Sequence, residues 1–220
     1  MRRTCIVAFA AIAAVGTPVT AQWFGMPAWN SPEGGGGITL SADYGRTDFN
    51  DDTDPFEASS FGARGSLGLG RTTLALGVSR FDSEGTDPTI TVVGAQAAFR
   101  VLGGGELPVA VNLQAGVSRH GVIDGGSQDV TNWLAGVGIS MTLPATPAEI
   151  EPYVSVSNRW HRVSGASDSE ANLGFVLGAN VTFTTFGVHI AYDSESFEGD
   201  SRLGVFGLGA HVTLRVPIGT

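Results

Sequence analysis

Residues 107–118 have the sequence LPVAVNLQAGVS, from which the fold class can be inferred. Every odd-numbered residue from Leu107 to Val117 is apolar, while Asn112, Gln114 and Ser118 lie at even positions. Successive side chains of a β-strand point to opposite faces, so this strand has one apolar face and one polar or small face. The same alternation recurs in residues 132–143 and 172–181. The pattern predicts an all-β chain.

The period-two pattern continues from Ile38 onward and divides into ten predicted strands. The strands are predicted at residues 38–46, 58–69, 72–81, 89–102, 107–119, 130–143, 150–162, 171–183, 185–192 and 202–216. Most of them have the roughly 9 to 11 residues that a membrane-spanning β-strand needs.

The connections between these strands alternate in length. Short turns are predicted at 70–71, 103–106, 144–149 and 184, and longer loops at 47–57, 82–88, 120–129, 163–170 and 193–201. The longer loops contain 16 of the 21 acidic residues. Short turns at one end and long loops at the other are typical of bacterial outer-membrane barrels. We therefore predict a ten-stranded antiparallel up-and-down transmembrane β-barrel over residues 38–216, with eight strands as the alternative.

In this pattern the chain resembles the small bacterial outer-membrane β-barrel families of the opacity-protein and porin-like type, over nearly all of residues 38–216. The strand pattern carries the resemblance, and no short motif does. Members of these families usually finish on an aromatic residue, whereas residues 216–220 are VPIGT. Residues 217–220 are predicted to be a C-terminal tail.

The N-terminal residues 1–21 predict a cleaved secretory signal peptide. Arg2 and Arg3 precede an apolar run over residues 5–15, and small residues lead up to Ala21. The apolar run is too short to span a bilayer as a helix. Residues 22–37 are predicted to be a flexible leader. Together with the barrel pattern, the signal predicts an outer-membrane location.

Composition excludes several classes of function. The formal net charge is -9 and all 12 basic residues are Arg, without a basic tract, which is unlike a nucleic-acid binder. Cleavage would remove Cys5, the one cysteine, and the His residues are scattered, so no metal motif or other cofactor is expected. Residues 48–54 resemble a calcium loop, but Thr53 and Ser59 replace the required Gly and Glu. A solvated acidic loop is expected, with weak Ca²⁺ or Mg²⁺ bridging left open.

The polar face of the strands is predicted to line a narrow lumen. Its Gly, Ser, Asn and Gln residues suit a crowded interior. Its charges have both signs, so they are expected to pair and fill the lumen rather than form an ion path. The predicted lumen residues are Asp43, Arg64, Gln96, Arg100, Asn112, Gln114, Glu151, Tyr153, Arg159, His161, His189, His211 and Arg215.

The apolar face carries arginines where the strands meet the long loops. These are Arg46, Arg80, Arg119, Arg162 and Arg202. Because an Arg side chain binds phosphate well at the level of the lipid headgroups, these five arginines predict a ring that contacts outer-membrane lipids, including lipopolysaccharide. The alternative is that they pair with the adjacent acidic loops. The predicted aromatic girdles are Tyr44, Phe61, Trp133, Trp160, Tyr192 and Phe206 near the loops and Phe99, Phe183 and Phe186 near the turns.

No sequence motif indicates a reaction, and we expect no enzymatic activity. The nearest candidates are His120 with Ser118 and Asp124, and His161 with Ser164 and Asp168, none of them in a G-x-S-x-G motif. We expect a structural or surface-interaction protein with a mostly filled lumen and acidic extracellular loops. The alternatives are a narrow porin-like channel for small solutes or apolar molecules, a lipid-modifying or proteolytic barrel, and a soluble exported barrel that binds a ligand.

Overall fold

The computed structural model describes residues 35–50, 56–83, 90–104, 107–122, 129–164, 169–197 and 201–214. The predicted signal peptide, the leader up to residue 34, most of the calcium-like loop, Arg215 and the C-terminal tail lie outside the described residues. In the described part of the chain, no helix is long and apolar enough to cross a membrane.

The described residues form eleven β-strands. They are β1 (Gly35–Asn50), β2 (Phe56–Gly70), β3 (Thr72–Ser83), β4 (Ile90–Gly104), β5 (Leu107–Val122), β6 (Val130–Met141), β7 (Leu143–Ala145), β8 (Ala148–Val163), β9 (Glu170–Phe183), β10 (Phe186–Ser196) and β11 (Arg202–Leu214). Ten of them correspond to the ten predicted strands. The additional strand, β7, has three residues and pairs with the start of β8.

The sheet closes into a barrel. Each long strand pairs antiparallel with the next along the chain, β1 pairs with β11, and β6 pairs with β8. The result is a closed ten-stranded antiparallel barrel, which confirms the predicted fold class and strand number. Closure pairs the backbone groups around the sheet and leaves no open edge.

The alternation of side chains separates two faces. Large apolar side chains such as Leu76 and Phe61 point outward and are 68% and 63% exposed. Small and polar side chains such as Ser60 and Asn112 point inward and are buried. The predicted girdle residues meet in outward cross-strand pairs: Tyr44 with Phe61, Trp133 with Trp160, and Tyr192 with Phe206. Near the turns, the Phe183 and Phe186 rings stack with 5.1 Å between centroids.

The strands run further toward the loops than predicted. We call the end where β1 and β2 meet the loop end, and the end where β2 and β3 meet at Arg71 the turn end. At the loop end β1 continues to Asn50 and β10 continues to Ser196. The predicted loop starts at Thr47 and Asp193 are therefore wrong, because both residues still belong to strands. The acidic and polar residues at these strand ends still form backbone pairs with the neighbouring strands. Alternate side chains among them therefore point into the barrel.

Candidate functional site

The lumen is where the predicted site residues meet. All members of the predicted lumen set except Arg215, which lies outside the described residues, are on the inner face. Most of these side chains are buried, and Arg159 and Asn112 are each 1% exposed. Six of them belong to two bonded clusters, one toward each end of the barrel: Arg159 and His161 to one, and Asp43, Arg64, His189 and His211 to the other.

The cluster toward the loop end, called here the Arg159 cluster, contains Arg159 and His161 of β8 and Asp193 and Glu195 of β10. Arg159 Nη2 donates to Asp193 Oδ1 at 2.7 Å, and Arg159 Nη1 donates to Glu195 Oε2 at 3.4 Å. His161 Nε2 lies 2.6 Å from Glu195 Oε1. When the imidazole is protonated, the two cations balance the two carboxylates.

Side-chain amides complete the Arg159 cluster. Asn172 Nδ2 of β9 donates to Glu195 Oε1 at 3.0 Å. Asn132 Oδ1 of β6 lies 2.9 Å from His161 Nδ1, and its Nδ2 lies 2.5 Å from His120 Nε2 of β5. The bonded network therefore crosses five consecutive long strands, from β5 to β10.

Gly174 of β9 makes room for Arg159. Strand β9 lies between β8 and β10, so the guanidinium must cross it to reach Asp193 and Glu195. A Cβ atom at Gly174 would lie 2.1 Å from Arg159 Nε. Because no real Cβ lies that close to another atom, a side chain at this position would displace the Arg159 guanidinium from its two carboxylates. The absent side chain at Gly174 thus leaves the space that the Arg159 guanidinium occupies.

The cluster toward the turn end, called here the Asp43 cluster, joins Asp43 of β1, Arg64 of β2, His189 of β10 and His211 of β11. Asp43 Oδ1 accepts from Arg64 Nη2 at 3.1 Å and from His189 Nε2 at 2.5 Å. The His189 and His211 rings stack with 5.7 Å between centroids. His189 reaches Asp43 across Gly209, where a Cβ atom would lie 2.5 Å from His189 Nε2.

An apolar patch also faces the interior, which the sequence analysis did not predict. It consists of Ala58, Phe81, Ile90 and Val92 from β2, β3 and β4, all at most 5% exposed. Ile90 and Val92 have the same parity as the lumen residue Gln96, so the signal was present in the sequence. The lumen set predicted from the sequence contained only polar and charged residues, and this apolar wall adds to it.

The two catalytic candidates do not form a nucleophile–base pair. The ring nitrogens of His161 contact Glu195 and Asn132, and Ser164 is an exposed turn residue beyond β8. His120 contacts the amide of Asn132, which is 3.5 Å from Ser118 Oγ. Asp124 and Asp168 lie outside the described residues. No group of three or more His, Cys, Asp or Glu side chains in the described residues could hold a metal ion.

The five predicted headgroup arginines are exposed on the outer face near the loop end. Arg46 Nη2 donates to Glu57 Oε2 at 2.5 Å, and Arg119 pairs with Asp129. Arg80 is level with Tyr44, two residues nearer the turn end than Arg46, because Phe61 lies opposite both Tyr44 and Arg80. Arg119 is level with Val78, two residues nearer still than Arg80, because Val93 lies opposite both Val78 and Arg119. Strand stagger in a barrel has this sense, so these three arginines lie at similar depth.

Comparisons with known proteins agree with the architecture. No protein-family model matches the chain, and no curated protein matches it. Among solved structures, the β domain of the Bordetella autotransporter Brka matches at a TM-score of 0.53 and 12% identity, over 81% of this chain and 99% of that one. An outer-membrane channel from Pseudomonas putida F1 matches at a TM-score of 0.52 and 12% identity, over 85% of this chain and 100% of that one. At such low identity the likeness shows the fold alone: this chain has the closed β-barrel fold of outer-membrane proteins.

Proposed function

We propose that this protein is an outer-membrane β-barrel whose filled lumen does not conduct ions and whose role is structural or surface-interacting, through acidic extracellular loops. One observation carries the proposal: the charged side chains of the Arg159 cluster are paired with one another and are 0–10% exposed. A water-filled pore would expose the charges that line it. Buried, paired charges instead occupy the space through which ions would pass.

The dimensions of the outer face support insertion in a membrane. On β5 the outward apolar residues run from Leu107 to Val117. At roughly 3.3 Å per residue and a tilt of about 40°, this stretch is about 25 Å tall, the height of the apolar band of outer-membrane barrels. The aromatic pairs of Tyr44 with Phe61 and Tyr192 with Phe206 follow at its loop side.

Electrical recording in planar lipid bilayers tests the filled lumen. Mature protein refolded in detergent and then inserted is expected to give no stable ohmic conductance steps. Insertion is verified independently by heat-dependent gel mobility, since a folded barrel resists SDS until it is boiled. Reproducible conductance from inserted protein would contradict the proposal and favour the porin-like alternative. Recovery of the protein in a soluble periplasmic fraction would contradict the membrane location.

We further propose that Arg46, Arg80 and Arg119 contact phosphate groups of outer-membrane lipids, including lipopolysaccharide. Their common depth beside the aromatic girdle supports this role, and the neighbouring Glu57 and Asp129 would hold the guanidinium groups until a phosphate replaces them. Replacing all three arginines with Gln is expected to weaken co-purification with lipopolysaccharide. Arg71→Gln, at the turn end, is the matched control. Equal lipopolysaccharide retention by the triple variant and the control would contradict this role.

A further inference from the structure

Two of the four histidines of the chain are stacked on each other in the Asp43 cluster. The side chains of His189 on β10 and His211 on β11 are buried, and their ring planes are inclined by only 22°. Each ring lies over a glycine of the other strand. A Cβ atom at Gly209 would lie 2.5 Å from His189 Nε2, and a Cβ atom at Gly187 would lie 2.4 Å from His211 Nε2. The two imidazoles therefore lie side by side against the backbone of β10 and β11.

The nearest charged neighbours of this histidine pair come from β1 and β2. Asp43 of β1 accepts hydrogen bonds from Arg64 of β2 and from His189. His211 interacts electrostatically with Asp43, Arg64 and His189. Its Nε2 also lies 3.4 Å from the neutral Thr182 Oγ1 of β9. On this side the pair therefore faces one carboxylate and one permanent cation.

A second carboxylate faces the pair from β8. Glu151 Oε2 accepts from Asn180 Nδ2 of β9 at 3.0 Å, and Asn180 is directly opposite His189. The Tyr153 phenol of β8 interacts with both Glu151 and Asp43, and a phenol carries no charge near neutral pH. The permanent cation and one imidazolium balance the two carboxylates. A second imidazolium would be a surplus buried charge, stacked against one of like sign.

We propose that the His189–His211 pair is an acid-sensitive switch: the folded barrel tolerates one imidazolium in the pair, and a second proton separates the rings and loosens β10 and β11 near the turn end. A free imidazole takes up its proton near roughly pH 6.5. Below that pH the unfolded chain protonates both rings, so unfolding takes up about one additional proton and stability falls as the pH decreases. This regulation goes beyond the proposed function and rests on it in one respect, since the rings must lie inside a closed lumen.

Urea unfolding of the refolded mature barrel at about pH 7.5 and about pH 4.5 tests the switch. The urea midpoint is expected to be lower in acid. His211→Phe keeps an aromatic ring that cannot take up a proton, so its unfolding should take up about one proton fewer. If His211→Phe does not fold, His211→Gln replaces it. Ser60→Ala is the matched control, because Ser60 is an uncharged, fully buried lumen residue outside the cluster, and it should keep the native pH dependence.

Arg64→Gln separates a charge effect from a packing effect. Without the permanent cation, two imidazoliums can balance the two carboxylates. This variant is expected to be less stable than the native chain at neutral pH, yet to take up about one proton fewer on unfolding in acid. A role in packing alone predicts the first effect without the second.

Hydrogen–deuterium exchange locates the change in the barrel. Protection of residues 187–191 and 209–213, corrected for the pH dependence of intrinsic exchange, is expected to fall about tenfold in acid, while β5 and β6 stay protected. Native proton uptake in either the His211 variant or Arg64→Gln would overturn the proposal. An equal loss of protection in all strands would also overturn it, because acid would then unfold the whole barrel. Ion conductance at neutral pH would instead contradict the proposed function.

Discussion

Replacing Arg159 with Met is the sharpest test of whether buried ion pairs stabilise the interior of the barrel. Arg159 forms ion pairs with both Asp193 and Glu195. The Arg159 side chain is 1% exposed, and each of the two carboxylate side chains is 0% exposed. Met has a similar volume without the charge. The variant therefore leaves two carboxylates in the interior, with His161 Nε2 as the neighbouring hydrogen-bond partner of Glu195.

The expected cost follows from this burial. Removing one partner of a buried ion pair costs about 3–5 kcal/mol, because the remaining charge is uncompensated. Arg46→Met is the matched control: Arg46 also pairs with a carboxylate, but the side chains of Arg46 and Glu57 are 58% and 52% exposed. Such a surface pair contributes only about 0.2–1 kcal/mol. The two Arg→Met substitutions should therefore differ by at least about 2 kcal/mol.

Equilibrium urea unfolding in detergent micelles or lipid vesicles measures both variants, with Trp fluorescence and heat-dependent gel mobility as independent probes. Adding Asp193→Asn and Glu195→Gln to Arg159→Met removes the excess negative charge and should recover part of the lost free energy of unfolding. If Arg159→Met is no more destabilising than Arg46→Met, the buried ion pairs do not hold this wall together and the reasoning fails.

Two further substitutions test the geometry of the barrel. Gly174→Ala should destabilise the barrel about as much as Arg159→Met, because its Cβ would lie 2.1 Å from Arg159 Nε. Gly65→Ala is the control and should be tolerated, because its Cβ would meet only Leu40 Cδ2 at 3.6 Å. Similar urea midpoints for the two Gly→Ala variants would contradict this role of Gly174. Leu76→Arg, in the middle of the outer belt, should cost about 2–4 kcal/mol in lipid vesicles. A Leu76→Arg variant that is as stable as the native chain in lipid vesicles would argue against a lipid-facing belt.

Much of the architecture was predictable because the period of two is strong. The alternation in residues 107–118 assigned β5 and its faces, and the short turns gave the strand directions. Parity alone placed Arg159, His161, Asp43 and His189 inside. A face is a local property of a strand, so a sequence pattern can reveal it.

The pairing of lumen residues was not predictable from the same pattern. Asp193 and Glu195 lie in a sequence rich in Ser, Asp and Glu that resembles a polar loop, yet both are fully buried in β10. Their partner Arg159 is more than thirty residues away and on a strand that does not pair with β10. Which inward residues meet depends on register and stagger around the whole barrel, and those are global properties.

Inward side chains in both clusters connect strands that are not neighbours. Arg159 crosses Gly174 of β9 to reach β10, and His189 crosses Gly209 of β11 to reach Asp43 of β1. Backbone hydrogen bonds fix each strand to its two neighbours, but a side chain that spans two strand widths also constrains the curvature of the wall. Opening this part of the lumen would therefore require breaking interactions that constrain the barrel's shape, so the closure to ions proposed above would be coupled to the stability of the fold.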